Sequence, residues 1–181
     1  DTYKPEVMRA VLDAGADIIN DVWALRRGQA LDVVVAHPRC GICLMHMHLE
    51  PQTMQIAPMA GDVVTQVRAF LRERAGALQA AGVARERIAL DVGIGFGKTV
   101  VQNFALLAAQ AELMSDAMPW LVGWSRKSTL GVITGRPVEQ RLPASLAAAL
   151  AGVASGARVV RVHDVAATVD AIKVWQALTP A

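Results

Sequence analysis

The sequence has 181 residues, enough for one domain over 1–181, and is 54% hydrophobic with only four Trp, three Phe and one Tyr, so its core is aliphatic. A net charge of +2 gives no electrostatic footprint for nucleic acid or a membrane surface. No apolar run reaches the roughly 18–20 residues of a membrane span and no signal-peptide pattern opens the chain, so a cytoplasmic setting is expected.

The first predicted element is a helix over residues 4–15, with Pro5 near its start, Val7, Met8, Val11 and Leu12 on one face and Gly15 as its stop. A short strand, "DIIN", follows at 17–20, then a helix around 28–37 and a strand at 41–47, "GICLMHM". Residues 47–60 read as a long loop rich in Pro, Met and Gln. Val63, Val67, Phe70, Leu71 and Leu78 fall at helical spacing over 61–81, and Gly82 ends that helix. Strand 87–91, a glycine loop and helix 100–113 come next, followed by strand 119–124 and the polar stretch "SRKSTLGVITGRPVEQR". An Ala-rich helix over 143–155, strand 158–162 and helix 165–178 complete the chain.

Five short apolar strands alternating with helices imply a parallel sheet covered by helices. Two architectures accommodate that pattern: part of a (β/α)8 barrel, whose full form takes about 250 residues, or an open five-stranded sheet of flavodoxin type. Strand count alone does not separate them.

The glycine loop "LDVGIGFGKT" invites comparison with a phosphate-binding P-loop, G-x-x-x-x-G-K-[ST]. Counting back from Gly97, the first glycine of that motif falls on Val92, and the glycines stand instead at 93, 95 and 97. The spacing is not G-x-G-x-x-G either, so neither a P-loop nor a dinucleotide fingerprint is present. Cys40 and Cys43 form a lone C-x-x-C without the further ligands of a zinc site, and Cys43 lies in an apolar strand, which favours packing. His46 and His48 share one strand face but lack a clear third metal ligand.

In both candidate folds, ligands bind at the carboxyl ends of the strands. Those ends present Asn20-Asp21, Met45-His46 and His48, Asp91, Ser125-Arg126-Lys127-Ser128, and Arg161, His163 and Asp164, with Asp1 just past the position of a preceding strand. Carboxylates and an amide suit a flat heterocycle with several N–H donors. The neighbouring cations, with Ser128 placed at a helix start, suit an anion.

Together, "DTYKPEVMRAVLDAGADIINDV", "CLMHM", "LDVGIGFGKT", "GWSRKSTLG" and "RVVRVHDV" resemble the dihydropteroate synthase family over nearly the whole chain. The resemblance implies a TIM (β/α)8 barrel read from the end of its third strand onward, lacking the first strands. It implies condensation of p-aminobenzoate with a dihydropterin methyl pyrophosphate, with release of pyrophosphate. Matched motif by motif, Asp1, Asn20, Asp91 and Lys127 fall on the pterin pocket, with Val22, Met45 and Gly123 lining it. Arg161 and His163 fall on the pair that meets the pterin and the departing pyrophosphate, Phe96 on the ring contact for p-aminobenzoate and Ser128 on its carboxylate contact. Asp91, Lys127, Arg161 and His163 are thus the implied catalytic set.

The resemblance also brings Mg2+ as cofactor, its protein ligand lying in the missing N-terminal part rather than in this chain. It brings sulfonamide-type competitors and a homodimer formed through the later helices. Two positions depart from the family pattern. Val92 replaces the Pro of L-D-P-G, a change expected to loosen the turn after Asp91, and Trp124 sets a bulky ring next to the pocket. A truncated pterin-binding barrel without catalysis, or a partner subunit, is the alternative.

Overall fold

A computed structural model describes residues 1–50, 53–54, 56–113 and 118–178. The elements alternate as α1 (Pro5–Asp13), β1 (Ile18–Asp21), α2 (Ala30–Ala36), β2 (Gly41–Met45), α3 (Val63–Ala80), β3 (Ile88–Asp91), α4 (Val100–Ala108), α5 (Gln110–Leu113), β4 (Leu121–Val122), α6 (Ser128–Thr134), α7 (Leu142–Ala154), β5 (Val159–Val160) and α8 (Val165–Leu178).

Every strand pairing is parallel, β1 with β2, β2 with β3 and β4 with β5, and the single bridge Leu90–Trp120 joins the two ladders. The spatial order therefore follows the sequence order. A flavodoxin sheet runs 2-1-3-4-5 and is excluded, whereas sequential order is that of a barrel wall. Curvature gives a second argument. Flat, β1 and β5 would stand about 19 Å apart, four strand spacings, farther than any side chain reaches. Yet Arg161, just past β5, donates to the Asn20 side chain in β1 at 3.3 Å. The wall is curled, and the structure is a (β/α)8 barrel seen in part.

Alternation along the strands sorts residues into two layers. Ile19, Ile42, Leu44, Ile88 and Leu90 pack outward in one core with Val34, Val67, Leu71, Leu78 and Leu106 from the helices. Asn20, Cys43 and Ala89 stand in register one residue on, and Met45 stands opposite Asp91. The helices begin where the sequence supplies partners for their first amides. Asp62 accepts from the amides of Val64 and Thr65 ahead of α3, and Thr99 and Gln102 form a reciprocal capping box ahead of α4.

Several sequence expectations shift. Strands 119–124 and 158–162 contract to two-residue ladders, and among the described residues no strand pairs with the outer edge of β5. Helix 100–113 is interrupted at Ala109. The polar stretch after strand β4 contains α6, whose seven residues include the β-branched Thr129, Val132, Ile133 and Thr134 and a glycine, a composition without helical propensity. In the 47–60 loop, Met47 and Met59 are buried, Met59 in the main core and Met47 in a smaller cluster against which Met54 packs, while residues 51, 52 and 55 lie outside the described set.

Candidate functional site

Asp91 ends β3, is 1% exposed, and has two partners. Its Oδ1 accepts from the amide of Gly93 at 2.7 Å and its Oδ2 from Arg161 Nη2 at 2.9 Å. Arg161 also reaches Asn20 Oδ1, and its guanidinium lies over Gly123, where a Cβ would come within 2.8 Å of Nη2. Four residues from four strand ends, Asn20, Asp91, Gly123 and Arg161, are thus in contact. Asn20 Nδ2, on the same side chain, is a buried donor with no partner. Burial pushes the Cys43 thiol up, the Asp91 charge adds to that shift and Arg161 opposes it. Cys43 is an inert wall residue, as its apolar strand suggested.

On the other side, the Lys127 ammonium lies 4.6 Å over the Phe96 ring. Burial lowers its pKa, Asp91 opposes that shift and Arg161 adds to it, so Lys127 belongs to the same electrostatic group. Phe96, Val22 and Met54 pack with Met45, Met47 and Trp23 in an apolar cluster beside it. Ser128 is exposed at the start of α6. His163 is exposed but anchored: its Nδ1 is 3.0 Å from Ser125 Oγ, and its amide donates to that oxygen at 3.1 Å. Asp1 is exposed, and the neighbouring Thr2 amide donates to the carbonyl of Asn20 at 3.0 Å.

Of the two departures, the expectation for Trp124 is corrected. Val92 follows Asp91 in the turn. Its side chain is buried in the core, and the Asp91–Gly93 hydrogen bond holds the backbone. Trp124 does not face the pocket. Its ring packs with Phe104 at 5.6 Å between centroids, inside the layer between strands and helices, because alternation turns residue 124 outward where Gly123 turns inward.

Residue types alone pointed to few of the supports. Lys98, 4% exposed, donates to the carbonyls of Gly93 (2.9 Å), Phe96 (3.1 Å) and His46 (3.3 Å). Asn103, also buried, accepts from the Gly95 amide at 3.0 Å and donates to Thr129 Oγ1 at 3.0 Å, tying the glycine loop to α6. Arg126 holds Asp164 through two hydrogen bonds and fixes the loop of Lys127 to that of His163. A lone lysine between Gly97 and Thr99 was the available signal for the first of these.

The glycine loop is therefore shaped by close approach rather than by phosphate. At Gly93 (φ 68°) a Cβ would meet the His46 carbonyl oxygen at 1.9 Å, and at Gly97 (φ 71°) it would meet His48 at 2.7 Å. His46 is itself buried, its ring edge-on to Phe70, and no three His, Cys, Asp or Glu side chains among the described residues could share a metal ion.

Burial lowers the His46 pKa from 6.5 to about 3, and the nearby Lys98 charge adds to the shift. The unfolded chain takes up this proton first as pH falls, so the contribution to stability is full above 6.5 and is lost on descending towards 3. The unfolding free energy from urea titration should decline across that window with a slope of up to about 1.4 kcal/mol per pH unit from this one group. The His46→Leu variant should decline less steeply. Parallel profiles for the two proteins would show that His46 does not titrate in this way.

The pterin-binding enzyme family profile matches residues 1–163. Dihydropteroate synthase of Neisseria meningitidis serogroup B is 49% identical over 183 residues, which cover 98% of this chain and 64% of that protein. Crystal-structure comparison gives a TM-score of 0.91 at 58% identity with Burkholderia cenocepacia dihydropteroate synthase complexed with 7,8-dihydropteroate, over 98% of this chain and 66% of that one. It gives 0.93 at 48% identity with the Xanthomonas albilineans enzyme with 4-aminobenzoic acid, over 100% and 64%. The chain spans just under two thirds of the length of the curated relatives it matches, 64% in the first case and 62% for the Escherichia coli protein.

Proposed function

The chain belongs to the pterin-binding enzyme family, and from that membership we propose that it carries the pterin and p-aminobenzoate sites of a dihydropteroate synthase. The observation that carries this reading is the convergence of Asn20, Asp91 and Arg161 on one point, with an unpartnered Asn20 amide donor beside a buried carboxylate. A pterin ring offers donors and acceptors along one edge, and this group answers both.

The reaction forms a bond between the amine nitrogen of p-aminobenzoate and the methylene carbon of the dihydropterin. The bond from that carbon to the pyrophosphate oxygen breaks, its electron pair leaves with pyrophosphate, and the amine nitrogen gives up a proton. Positive charge grows on the pterin and negative charge on the leaving group. Asp91 stabilises the first, while Arg161 and His163, held by Ser125, stabilise the second. Lys127 and Phe96 flank the place of the second ring, with Ser128 at its carboxylate, and positioning supplies much of the rate. Sulfonamide-type competitors fit the same place. In this reading Asp1 bonds the pterin, while Val22, Met45 and Gly123 shape its slot.

Mg2+ enters as the counter-ion of the pyrophosphate; the described residues do not fit a resident metal centre, and no step runs through one. The homodimer is part of the same proposal, supported by an apolar groove of about 470 Å³ between α7 and α8 that includes Leu146, Leu150, Val174 and Leu178. So is a cytoplasmic setting; among the described residues no helix is long and apolar enough to cross a membrane.

Calorimetric titration of the protein with dihydropterin pyrophosphate and Mg2+ should give saturable heat. Adding p-aminobenzoate should then release pyrophosphate. Saturable heat without pyrophosphate release would reduce the function to pterin binding, and the absence of heat from folded protein would refute the reading altogether.

A further inference from the structure

Lys98 takes no part in the chemistry above, yet it is among the most enclosed charges in the molecule. An ammonium has three donors and no acceptor, and here three carbonyl oxygens meet it: His46 beyond β2, and Gly93 and Phe96 in the loop after β3. A buried charge so matched is costly to bury and costly to leave half-paired, so it fixes the geometry of everything it bonds. Phe96 is the residue most constrained. Its carbonyl accepts from Lys98 and from the His48 amide at 3.4 Å, and its own amide donates to Gly93 at 3.1 Å. The peptide on which the ring stands is thereby held from both sides. Asp91 shares the Gly93 link with this clamp, its Oδ1 accepting from the Gly93 amide, but it has anchors of its own in the pairing of Met45 with Asp91 and in Arg161.

We propose that Lys98 is a positioning residue for the aromatic-amine half of the site. By clamping the carbonyls of His46, Gly93 and Phe96 it holds the Phe96 ring in place over Lys127, and so sets affinity for p-aminobenzoate without touching it. This rests on the reading of Phe96 as the ring contact.

The test replaces Lys98 by Met, which keeps length and removes all three donors. Affinity for p-aminobenzoate in the presence of dihydropterin pyrophosphate should fall about tenfold or more, while pterin affinity moves less than about threefold. In the same variant the amides of Gly95, Phe96 and His48 should exchange faster. Equal losses for both ligands, or none for either, in a folded variant overturn the proposal, because a merely structural lysine would not divide the two.

If the unmutated protein binds neither ligand, the functional reading fails, and amide exchange alone then judges the clamp. Faster exchange supports the clamp and unchanged exchange overturns it. Should Lys98→Met not fold, the unmutated protein labelled with 15N-lysine decides, below the pH of about 7 to which burial lowers Lys98. Ammonium protons of Lys98 that survive exchange and shift with p-aminobenzoate support the proposal. Protons that exchange as fast as those of the exposed Lys4 overturn it.

Discussion

Asp91→Asn should abolish tight pterin binding while leaving the protein folded. The substitution keeps the shape of the side chain and an acceptor for the Gly93 amide, but removes the charge that faces Arg161 at 2.9 Å. Asp91 is 1% exposed while Arg161 is 38% exposed, and each hydrogen bond from the pterin to so enclosed a carboxylate is charge-assisted and contributes about 1.5–3 kcal/mol. Dihydropterin pyrophosphate affinity measured by calorimetry should accordingly drop about 100- to 1,000-fold. Asn20→Ala, which removes a longer contact of 3.3 Å to a half-exposed arginine, should cost far less. Equal affinities for Asp91→Asn and the unmutated protein, with thermal unfolding still cooperative, would remove Asp91 from the pocket.

Gly93→Ala carries the largest expected loss of stability. Two costs combine there, a left-handed backbone at φ 68° and a Cβ 1.9 Å from the carbonyl oxygen of His46. Gly135 separates them, because it has nearly the same φ, 67°, with nothing within 4 Å of an added Cβ. Gly135→Ala should therefore lose only the backbone term, about 1–2 kcal/mol, whereas Gly93→Ala should lose about 4 kcal/mol or more, since backbone must move to admit the methyl group. Urea unfolding of the two variants side by side measures the difference. Similar midpoints would mean that the loop yields readily and that its close approach to His46 is not rigid.

The alternation of strands and helices was legible because short apolar runs bounded by glycine carry a period the sequence displays directly. The strand ends were legible for the same reason: once Ile88–Asp91 is a strand, Asp91 must stand at its carboxyl end. Barrel curvature was not, since the contact that establishes it joins residues 20 and 161, far apart in sequence. Lys98 was hidden differently. Its partners are three backbone carbonyls, which every residue possesses and no sequence distinguishes. Trp124 was misplaced because its neighbours Gly123 and Ser125 belong to the site, and proximity in sequence is no guide to which face of a strand a ring takes. The short helix α6 escaped because its stability comes from packing of Thr129, Leu130 and Gly131 rather than from propensity.

The two ladders meet at one bridge, Leu90–Trp120, and this seam is also a chemical border. On one plate stand Asn20, Met45 and Asp91; on the other Lys127, Arg161 and His163. The Asp91–Arg161 ion pair crosses that border at 2.9 Å, so any parting of the two ladders would also part the carboxylate from its cation.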